Sequence, residues 1–328
     1  MTSTTTRISL GAILLSFVLL AAGFSAVVPI FENSDEAEHF IYIHTLLQTG
    51  ELPVIQSREA MAAQEDPVQR WNNQSHHAPL YYLLSSALVS WSQREDLRDY
   101  LIPNELIFLR DTTENNANKW LHRYDEPGGD TQAAVFVLRA ANVAIGCGTL
   151  LLIFACAWQI SDNRLLALSA TAFAAFLPTF IVVNSSVTND ALLLFFYTAG
   201  VLWSLVTWRN ETLTLSRAVL LGLIVSGTAL TKLTGLSLFG VVFVVLVLGA
   251  WRKKWTWQQA IVTFAVGLLM TALLAGWWYL RNWQIYGDPL AVSATQTIWG
   301  REGAVLWGEE LLRIGKTFWM MVGYLHSP

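Results

Sequence analysis

The sequence has few charged residues and almost no cysteine. Charged residues make up 13% of the 328 positions, whereas soluble domains carry about 25%. Cys147 and Cys156 lie in one apolar run, so they indicate neither a disulfide framework nor a metal-ligand spacing. The net charge of −4 offers no basic surface to a nucleic acid. These absences exclude an ordinary soluble domain and a nucleic-acid-binding protein.

Long apolar runs are abundant instead. Hydrophobic residues make up 54% of the chain and its mean hydropathy is +0.43. The first run exceeds the core of a signal peptide, typically about 7–15 residues, so we interpret it as an uncleaved helix. A membrane-spanning helix needs about 20 apolar residues. The apolar runs of this chain therefore predict an all-α, polytopic transmembrane bundle with about seven to eight spans. The runs lie at 9–30, 134–159, 164–184, 190–208, 217–231, 234–250 and 257–280.

Basic residues predict the topology, because Lys and Arg concentrate in short cytoplasmic loops. They precede the first run and then recur in alternate short loops, which predicts a cytoplasmic N-terminus. Segment 31–133 is then one large outward loop. Within it, "PLYYLLSSALVSW" predicts a helix lying at the membrane interface. We predict one domain over 1–328, and the apolar ending "TFWMMVGYLHSP" suggests a piece of a longer protein.

A helix is predicted directly after the first apolar run, in "FENSDEAEHFIYIHTLLQTG". Asn33 or Ser34 can cap its start, and Gly50 can end it after about Thr49. The helix would therefore begin where the chain leaves the membrane.

Ionisable residues crowd the first turns of this helix. At about 100° per residue, Asp35, Glu38, His39 and Tyr42 share one face, whereas Glu36 points about 100° away from Asp35. Two interpretations remain open. The acids can simply complement the helix dipole in a solvated helix start, with His39 an interfacial polar residue. Alternatively, they form the acid/base or metal centre of a membrane enzyme.

Three other segments on the predicted outer side carry polar groups in apolar surroundings. "NNQSHHAPLYY" contains His76 and His77, "NSSVTND" contains Asn189 and Asp190, and "TKLTG" contains Lys232. Ionisable groups at membrane depth are unfavourable and are functional candidates by default. Lys232 could also simply snorkel to the surface. Four such features on one predicted side favour a functional site.

Together the motifs "SDEAEHF", "HHAPLYYLL", "SSVTND", "LTKLTG" and "WYLRNWQIYGDPL" resemble the GT-C superfamily of membrane glycosyltransferases. The likeness is to bacterial family-39-like members, including aminoarabinose transferases and protein O-mannosyltransferases. It covers nearly all of the chain. It implies transfer of a sugar from a polyprenyl-phosphate carrier to an acceptor on the outer face, by an integral protein of the bacterial inner membrane.

The resemblance also implies roles for the residues after the first span. Asp35 matches the family's aspartate that acts as the catalytic base or orients the acceptor, and Glu36 matches the second acid of its "DE" pair. We expect Asp35 to be the catalytic carboxylate, assisted by Glu36, Glu38 and His39, with Tyr42 close by. To act as a general base, a carboxylate must lie within hydrogen-bond reach of the acceptor hydroxyl.

Binding of the carrier phosphate requires donors of positive charge or hydrogen bonds. We expect Lys232 and Arg281 to lie near one another and bind it, with His77 and His76 as further candidates. The family's "(E/H)-(K/H)-P-P-L" element is altered here: "HHAPL" has Ala78 in place of the first proline and contains neither Glu nor Lys.

No cofactor is expected to be required. If a divalent metal takes part, Asp35, His39 and His76 are the residues that would hold it. The expected partners are a polyprenyl-phosphate sugar, an acceptor of unknown class and membrane lipids, with no nucleic acid. The alternatives are a transporter or flippase, whose Lys232 and Asp190 would line a path, and a non-catalytic membrane subunit. A transporter should show internal repeats, and the sequence has none that we recognise.

Overall fold

The structure is a computed structural model that describes residues 2–104, 118–122, 128–299 and 308. Within these ranges the chain forms helices and short 3₁₀ turns, with one isolated bridge between Pro103 and Trp120 and no sheet. The all-α prediction is therefore confirmed. The helices are α1 Ser3–Val27, α2 Glu36–Thr49, α3 Arg58–Ala62, α4 Pro67–Arg70, α5 Leu80–Leu88, α6 Asp130–Ser161, α7 Arg164–Ala175, α8 Pro178–Asn184, α9 Asp190–Asn210, α10 Leu215–Ala229, α11 Ser237–Trp251, α12 Trp257–Tyr286 and α13 Val292–Trp299.

Five helical segments in the described part of the chain are long and apolar enough to cross a membrane. They are α1, α6, α9, α12 and Leu233–Trp251, which joins a 3₁₀ turn to α11. The helices α7 and α8 make a sixth if they count as one span, although they are bent by 65°. These helices identify an integral membrane protein, as predicted. Each of the seven apolar runs is helical, and the apolar ending lies outside the described residues.

The prediction of one continuous helix over 164–184 is wrong. Leu177 has an extended backbone, because the proline that follows it disfavours the helical conformation of the preceding residue. Pro178 then occupies the first turn of α8, where its missing N–H is tolerated. The helix α10 is also short, at 15 residues. The described helices therefore give five spans, or six with the bent pair, instead of seven to eight.

The helix α2 differs from its prediction at its start. Its N-cap is Asp35, not Asn33 or Ser34, and the left-handed backbone of Asp35 (φ 56°) leaves no side-chain capping bond. Gly50 ends the helix in the left-handed conformation, as predicted. All residues from 36 to 44 are buried. The interpretation of this stretch as a solvated helix start is therefore wrong.

The helix predicted within the loop is α5, which packs on α2 and α6. Tyr82 is buried in that contact, whereas Leu84 on the other side is exposed. The backbone N–H of Leu80 donates to the carbonyl of Leu230 (2.8 Å), which ties the loop to the end of α10. The largest apolar cluster joins α2 and α5 to the first turns of α6. This apolar cluster thus holds the helix that carries the ionisable residues in place.

Candidate functional site

A fully hydrogen-bonded ion pair fixes the start of α2. Arg139 of α6 donates from Nε to Glu36 Oε1 (2.8 Å) and from Nη2 to Glu36 Oε2 (2.6 Å). Its other N–H groups donate to the carbonyls of Ser25, Val28 and Pro29 at the end of α1. Both charged side chains are 0% exposed. A buried ion pair is tolerated only where its remaining donors and acceptors are satisfied, as they are here.

The carboxylate of Glu36 also accepts two backbone N–H groups. Phe31 donates to Oε2 and Val187 donates to Oε1, each at 2.9 Å. The ion pair therefore joins the end of α1, the start of α2, the first turns of α6 and the turn before α9. With four donors on two oxygens, Glu36 is fully engaged by the protein, so it positions the turn that carries Asp35.

Asp35 is the residue that this turn presents. Its left-handed backbone (φ 56°, ψ 10°) is uncommon outside glycine, and such strain clusters at functional sites. Its side chain is partly exposed and does not cap α2. Burial, and then the charge of Glu38, raise the pKa of Asp35 to about 6, while Lys119 and Lys232 act to lower it. A carboxyl group with such a pKa suits general-base catalysis near neutral pH.

Lys119 reaches this site from segment 118–122. Its Nζ pairs with Glu38 Oε1 and lies 5.0 Å from the ring centroids of Trp71 and Trp120, where a cation is favoured. The carboxylate of Glu32 accepts the backbone N–H groups of Lys119 (2.8 Å) and Trp120 (2.9 Å). Glu32 thereby positions Lys119, whose charge lies within electrostatic range of Asp35. The element "HHAPL" contains no lysine that could supply this charge.

Five rings form a continuous stack, here called the aromatic stack. His39 Nδ1 lies 2.7 Å from the hydroxyl of Tyr82, and Tyr82 stacks on Tyr42 with ring centroids 3.7 Å apart. The ring of His39 lies 5.6 Å from that of His77, which lies 4.0 Å from that of His76. The structure thus brings together both His-containing motifs of the sequence.

The histidines of the aromatic stack are neutral at pH 7. Burial lowers the pKa of His39 to about 3 and that of His76 to about 4, and it lowers the pKa of His77 well below its usual value. Burial therefore disfavours a protonated His77 as the ligand of a phosphate. A neutral imidazole can still donate one N–H.

The turn "SSVTND" between α8 and α9 is buried from Ser185 to Asn189 and lies against the aromatic stack. Asn142 of α6 donates to the carbonyl of Thr188 (3.1 Å), whose hydroxyl lies 3.5 Å from His39 Nε2. Asn189 donates to the carbonyl of Thr231 (3.2 Å). Asn189 therefore fixes the "SSVTND" turn against the "TKLTG" turn.

Lys232 interrupts the helices as predicted, with an extended backbone between α10 and the 3₁₀ turn. Its Nζ lies 2.7 Å from Asp190 Oδ1, and the two side chains are 24% and 40% exposed. The charges of both residues shift the pKa of Asp35, so they lie within electrostatic range of it. A partly exposed pair of this kind can exchange one partner for a ligand.

Arg281 has different neighbours. Its Nη2 donates to the carbonyls of Leu52 (2.9 Å) and Pro53 (3.1 Å), and its guanidinium lies 5.1 Å from the ring of Trp278. These contacts anchor the chain that follows α2. A phosphate role shared by Arg281 and Lys232 stays a prediction.

A metal-ligand set is not found in the described part of the chain. No group of three or more His, Cys, Asp or Glu side chains there could hold a metal ion. Asp35, His39 and His76 are therefore not assembled as ligands. The ring nitrogens of His39 face the hydroxyls of Tyr82 and Thr188 instead.

Several side chains of this site were not among the predicted residues, and Arg139, Asn142 and Lys119 are the main examples. Arg139 and Asn142 are isolated polar residues inside the apolar run 134–159, and an arginine at membrane depth is a signal in itself. Lys119 lies in a polar stretch, and nothing in its immediate sequence distinguishes this buried lysine from one at the surface.

The chain is similar to a known protein family and to solved structures. The family model "Dolichyl-phosphate-mannose-protein mannosyltransferase" matches residues 117–285. The structure of the S. cerevisiae protein O-mannosyltransferase Pmt1-Pmt2 complex bound to the sugar donor matches with a TM-score of 0.55 and 13% identity. It covers 88% of this chain, which spans only 35% of that one. No curated protein sequence matches. At this identity the structural match shows a shared fold, which confirms the expected GT-C architecture.

Proposed function

Because the chain belongs to the dolichyl-phosphate-mannose-protein mannosyltransferase family, we propose that it is a membrane glycosyltransferase. It would move a mannosyl group from a polyprenyl-phosphate donor to an acceptor hydroxyl. The observation that carries the proposal is the presentation of Asp35. It is partly exposed on a strained turn, its pKa is raised to about 6, and the neighbouring Glu36 is locked to Arg139.

Asp35 would act as the general base. The acceptor oxygen forms a bond to the anomeric carbon while the bond from that carbon to the phosphate oxygen breaks. The acceptor proton passes to the carboxylate of Asp35, and the electron pair of the broken bond leaves with the polyprenyl phosphate. A phosphate leaving group needs no acid to protonate it, so one carboxylate suffices, in contrast to the paired acids of glycoside hydrolases.

The negative charge that develops on the phosphate calls for a cation. Lys232 is our first candidate, because its pair with Asp190 is partly exposed and it lies in electrostatic range of Asp35. Lys119 is more deeply buried and is held by Glu38, so we assign it to the electrostatics of Asp35. Arg281 stays a second candidate for the phosphate. Its Nη1 is buried and makes no hydrogen bond with the described residues.

The remaining predicted residues would position these groups. Glu36 holds the turn, and Glu38 orients Lys119. His39, His76, His77 and Tyr42 form the wall of the site through the aromatic stack. Asn189 fixes the turn that bears Asp190. We propose that the reaction uses no metal ion.

We also propose that the site faces outward from a bacterial inner membrane, with the N-terminus in the cytoplasm. The support is the alternation of basic short loops. In a Cys147→Ala/Cys156→Ala background, Glu95→Cys should react with an impermeant thiol reagent added to intact cells, whereas Lys253→Cys should not. Glu95 and Lys253 are both exposed in the structure. The reverse labelling pattern would contradict this orientation.

Transfer can be measured with labelled polyprenyl-phosphate mannose added to membrane vesicles that contain the full chain. Wild-type protein should move label from the donor lipid into an acceptor fraction and release polyprenyl phosphate. Asp35→Asn should reduce that rate by about 10²–10⁴-fold, the usual loss for a general base. The matched control is Asp99→Asn, an exposed aspartate of the same loop. Unchanged transfer by Asp35→Asn would remove Asp35 from catalysis.

The same vesicles test the transporter alternative. A flippase would change the side of the membrane on which the intact donor is found, without releasing polyprenyl phosphate. Donor movement without cleavage would therefore replace the transferase proposal.

A further inference from the structure

The end of the bundle opposite the loop is strongly basic. Among the described residues, Arg209 pairs with Asp162 and Lys254 pairs with Glu211 at this end. We call this the basic end, and it contains Arg7, Arg164, Arg209, Arg217, Arg252, Lys253 and Lys254. A membrane protein presents such a surface to lipid headgroups.

A cavity of about 270 Å³ opens at the basic end between the first turns of α1 and the α6–α7 turn. Arg7 and Arg164 line it together with the hydroxyl-bearing Ser3. Its other walls are apolar and aromatic: Leu10, Phe154 and Trp158. The cavity therefore has a cationic side and an apolar side.

Its side chains are held in place by local contacts. The guanidinium of Arg164 lies 5.1 Å from the ring of Trp158, and that ring packs edge-on against Phe154 at 5.6 Å. Thr6, also in the cavity wall, is buried, and its hydroxyl donates to the carbonyl of Thr2 (3.1 Å). The two arginines thus project from two different helices towards one space, so a single anion can contact both.

We propose that this cavity binds the headgroup of an anionic phospholipid. Arginine binds phosphate through two parallel N–H donors, and basic pockets between transmembrane helices bind anionic headgroups. The apolar side favours a lipid over free phosphate. Ile8 and Leu165, next to the two arginines, are 68% and 63% exposed, so the cavity borders surfaces suited to acyl chains. Tryptophan at the headgroup level is typical of membrane boundaries.

The test measures lipid retention by the full chain. Delipidated protein in detergent is incubated with equimolar phosphatidylglycerol and phosphatidylcholine, and native mass spectrometry counts the lipids that stay bound. Wild-type protein should retain phosphatidylglycerol at least tenfold over phosphatidylcholine. Arg7→Gln/Arg164→Gln should lose that preference. Arg252→Gln removes an exposed charge at the same end without touching the cavity, so it should keep the preference.

Three outcomes would overturn the proposal. They are equal retention of the two lipids by wild type, an unchanged preference in the double variant, and displacement of phosphatidylglycerol by millimolar inorganic phosphate, which would make the site one for free phosphate. Arg7→Gln alone changes an exposed side chain and should halve the preference or more, so a misfolded double variant does not decide the question. None of these readouts depends on sugar transfer.

Discussion

Removing Arg139 should be among the most destabilising single changes in the protein. A guanidinium has five N–H donors, and Arg139 uses all of them, two on Glu36 and three on carbonyls at the end of α1. Arg139→Met would leave a carboxylate that is 0% exposed with two backbone donors and no counter-charge. Breaking a buried pair in this way costs about 3–5 kcal/mol of unfolding free energy.

Two further variants separate charge from geometry. Arg139→Lys keeps the charge but offers three donors to five acceptors, so it should recover only part of the loss. Glu36→Met/Arg139→Met removes the pair as a whole and leaves no buried lone charge. Its cost should be smaller than the sum of the two single changes, because the residues are in direct contact.

Denaturant unfolding of the full chain in detergent micelles, followed by intrinsic fluorescence, measures these differences. Arg252→Met, which removes an exposed arginine at the basic end, is the control and should stay within about 0.5 kcal/mol of wild type. The reasoning is refuted if Arg139→Met falls within that same margin.

Further predictions concern the proposed reaction. The rate of transfer should be about tenfold lower at pH 5 than at pH 7, because Asp35 becomes protonated as the pH falls through about 6. Asp35→Asn should abolish this pH dependence. If the variant keeps the same pH dependence of transfer, the titrating group is not Asp35. The pKa of Asp35 is raised on folding, so its contribution to stability is present below about pH 4 and lost as the pH rises through 6. Asp35→Asn should therefore be at least as stable as wild type at pH 8, measured by the same denaturant unfolding. Lys232→Met should weaken binding of polyprenyl-phosphate mannose about 10–100-fold by calorimetry, whereas Lys253→Met should not; equal affinities would remove Lys232 from the phosphate site. A chelator should leave transfer unchanged, and loss of transfer that added Mg²⁺ or Mn²⁺ restores would contradict this.

Most of the fold was predictable from the sequence, because an apolar run of about 20 residues is long enough to form a membrane-spanning helix. The seven runs and the Gly50 stop of α2 are all found. The break before Pro178 was missed although proline marks it, because the apolar pattern continues through the break without interruption. Hydropathy indicates which residues lie in lipid, but it does not indicate where a helix bends within the membrane.

The site was predictable only where a polar residue interrupts an apolar run. Lys232 and Asp190 stand out in this way, and the structure pairs them. Lys119 does not, because it lies in a polar loop and reaches Glu38 only through folding of the chain over a long sequence separation. Helical periodicity placed Glu38 and His39 on the face of Asp35, but the partners of that face come from α5, the loop and the turn before α9, and no local pattern specifies them.

The adjacent acids Asp35 and Glu36 have different surroundings: Glu36 is buried in the ion pair with Arg139, whereas Asp35 is partly exposed. In the proposed mechanism, this difference makes Asp35 available as the catalytic carboxylate. The left-handed backbone of Asp35 carries strain of up to about 1–3 kcal/mol. Removing one partner of the ion pair at the next residue costs about 3–5 kcal/mol, which exceeds that strain, because it leaves a buried charge without a counter-charge. Glu36 and Arg139 can therefore hold the turn in its strained form, in which the carboxylate of Asp35 makes no capping bond to α2 and lies within electrostatic range of Lys119 and Lys232. If this is right, Arg139→Met should lose transfer even in the fraction that remains folded, while Arg139→Lys, which keeps the charge pair, should retain part of it.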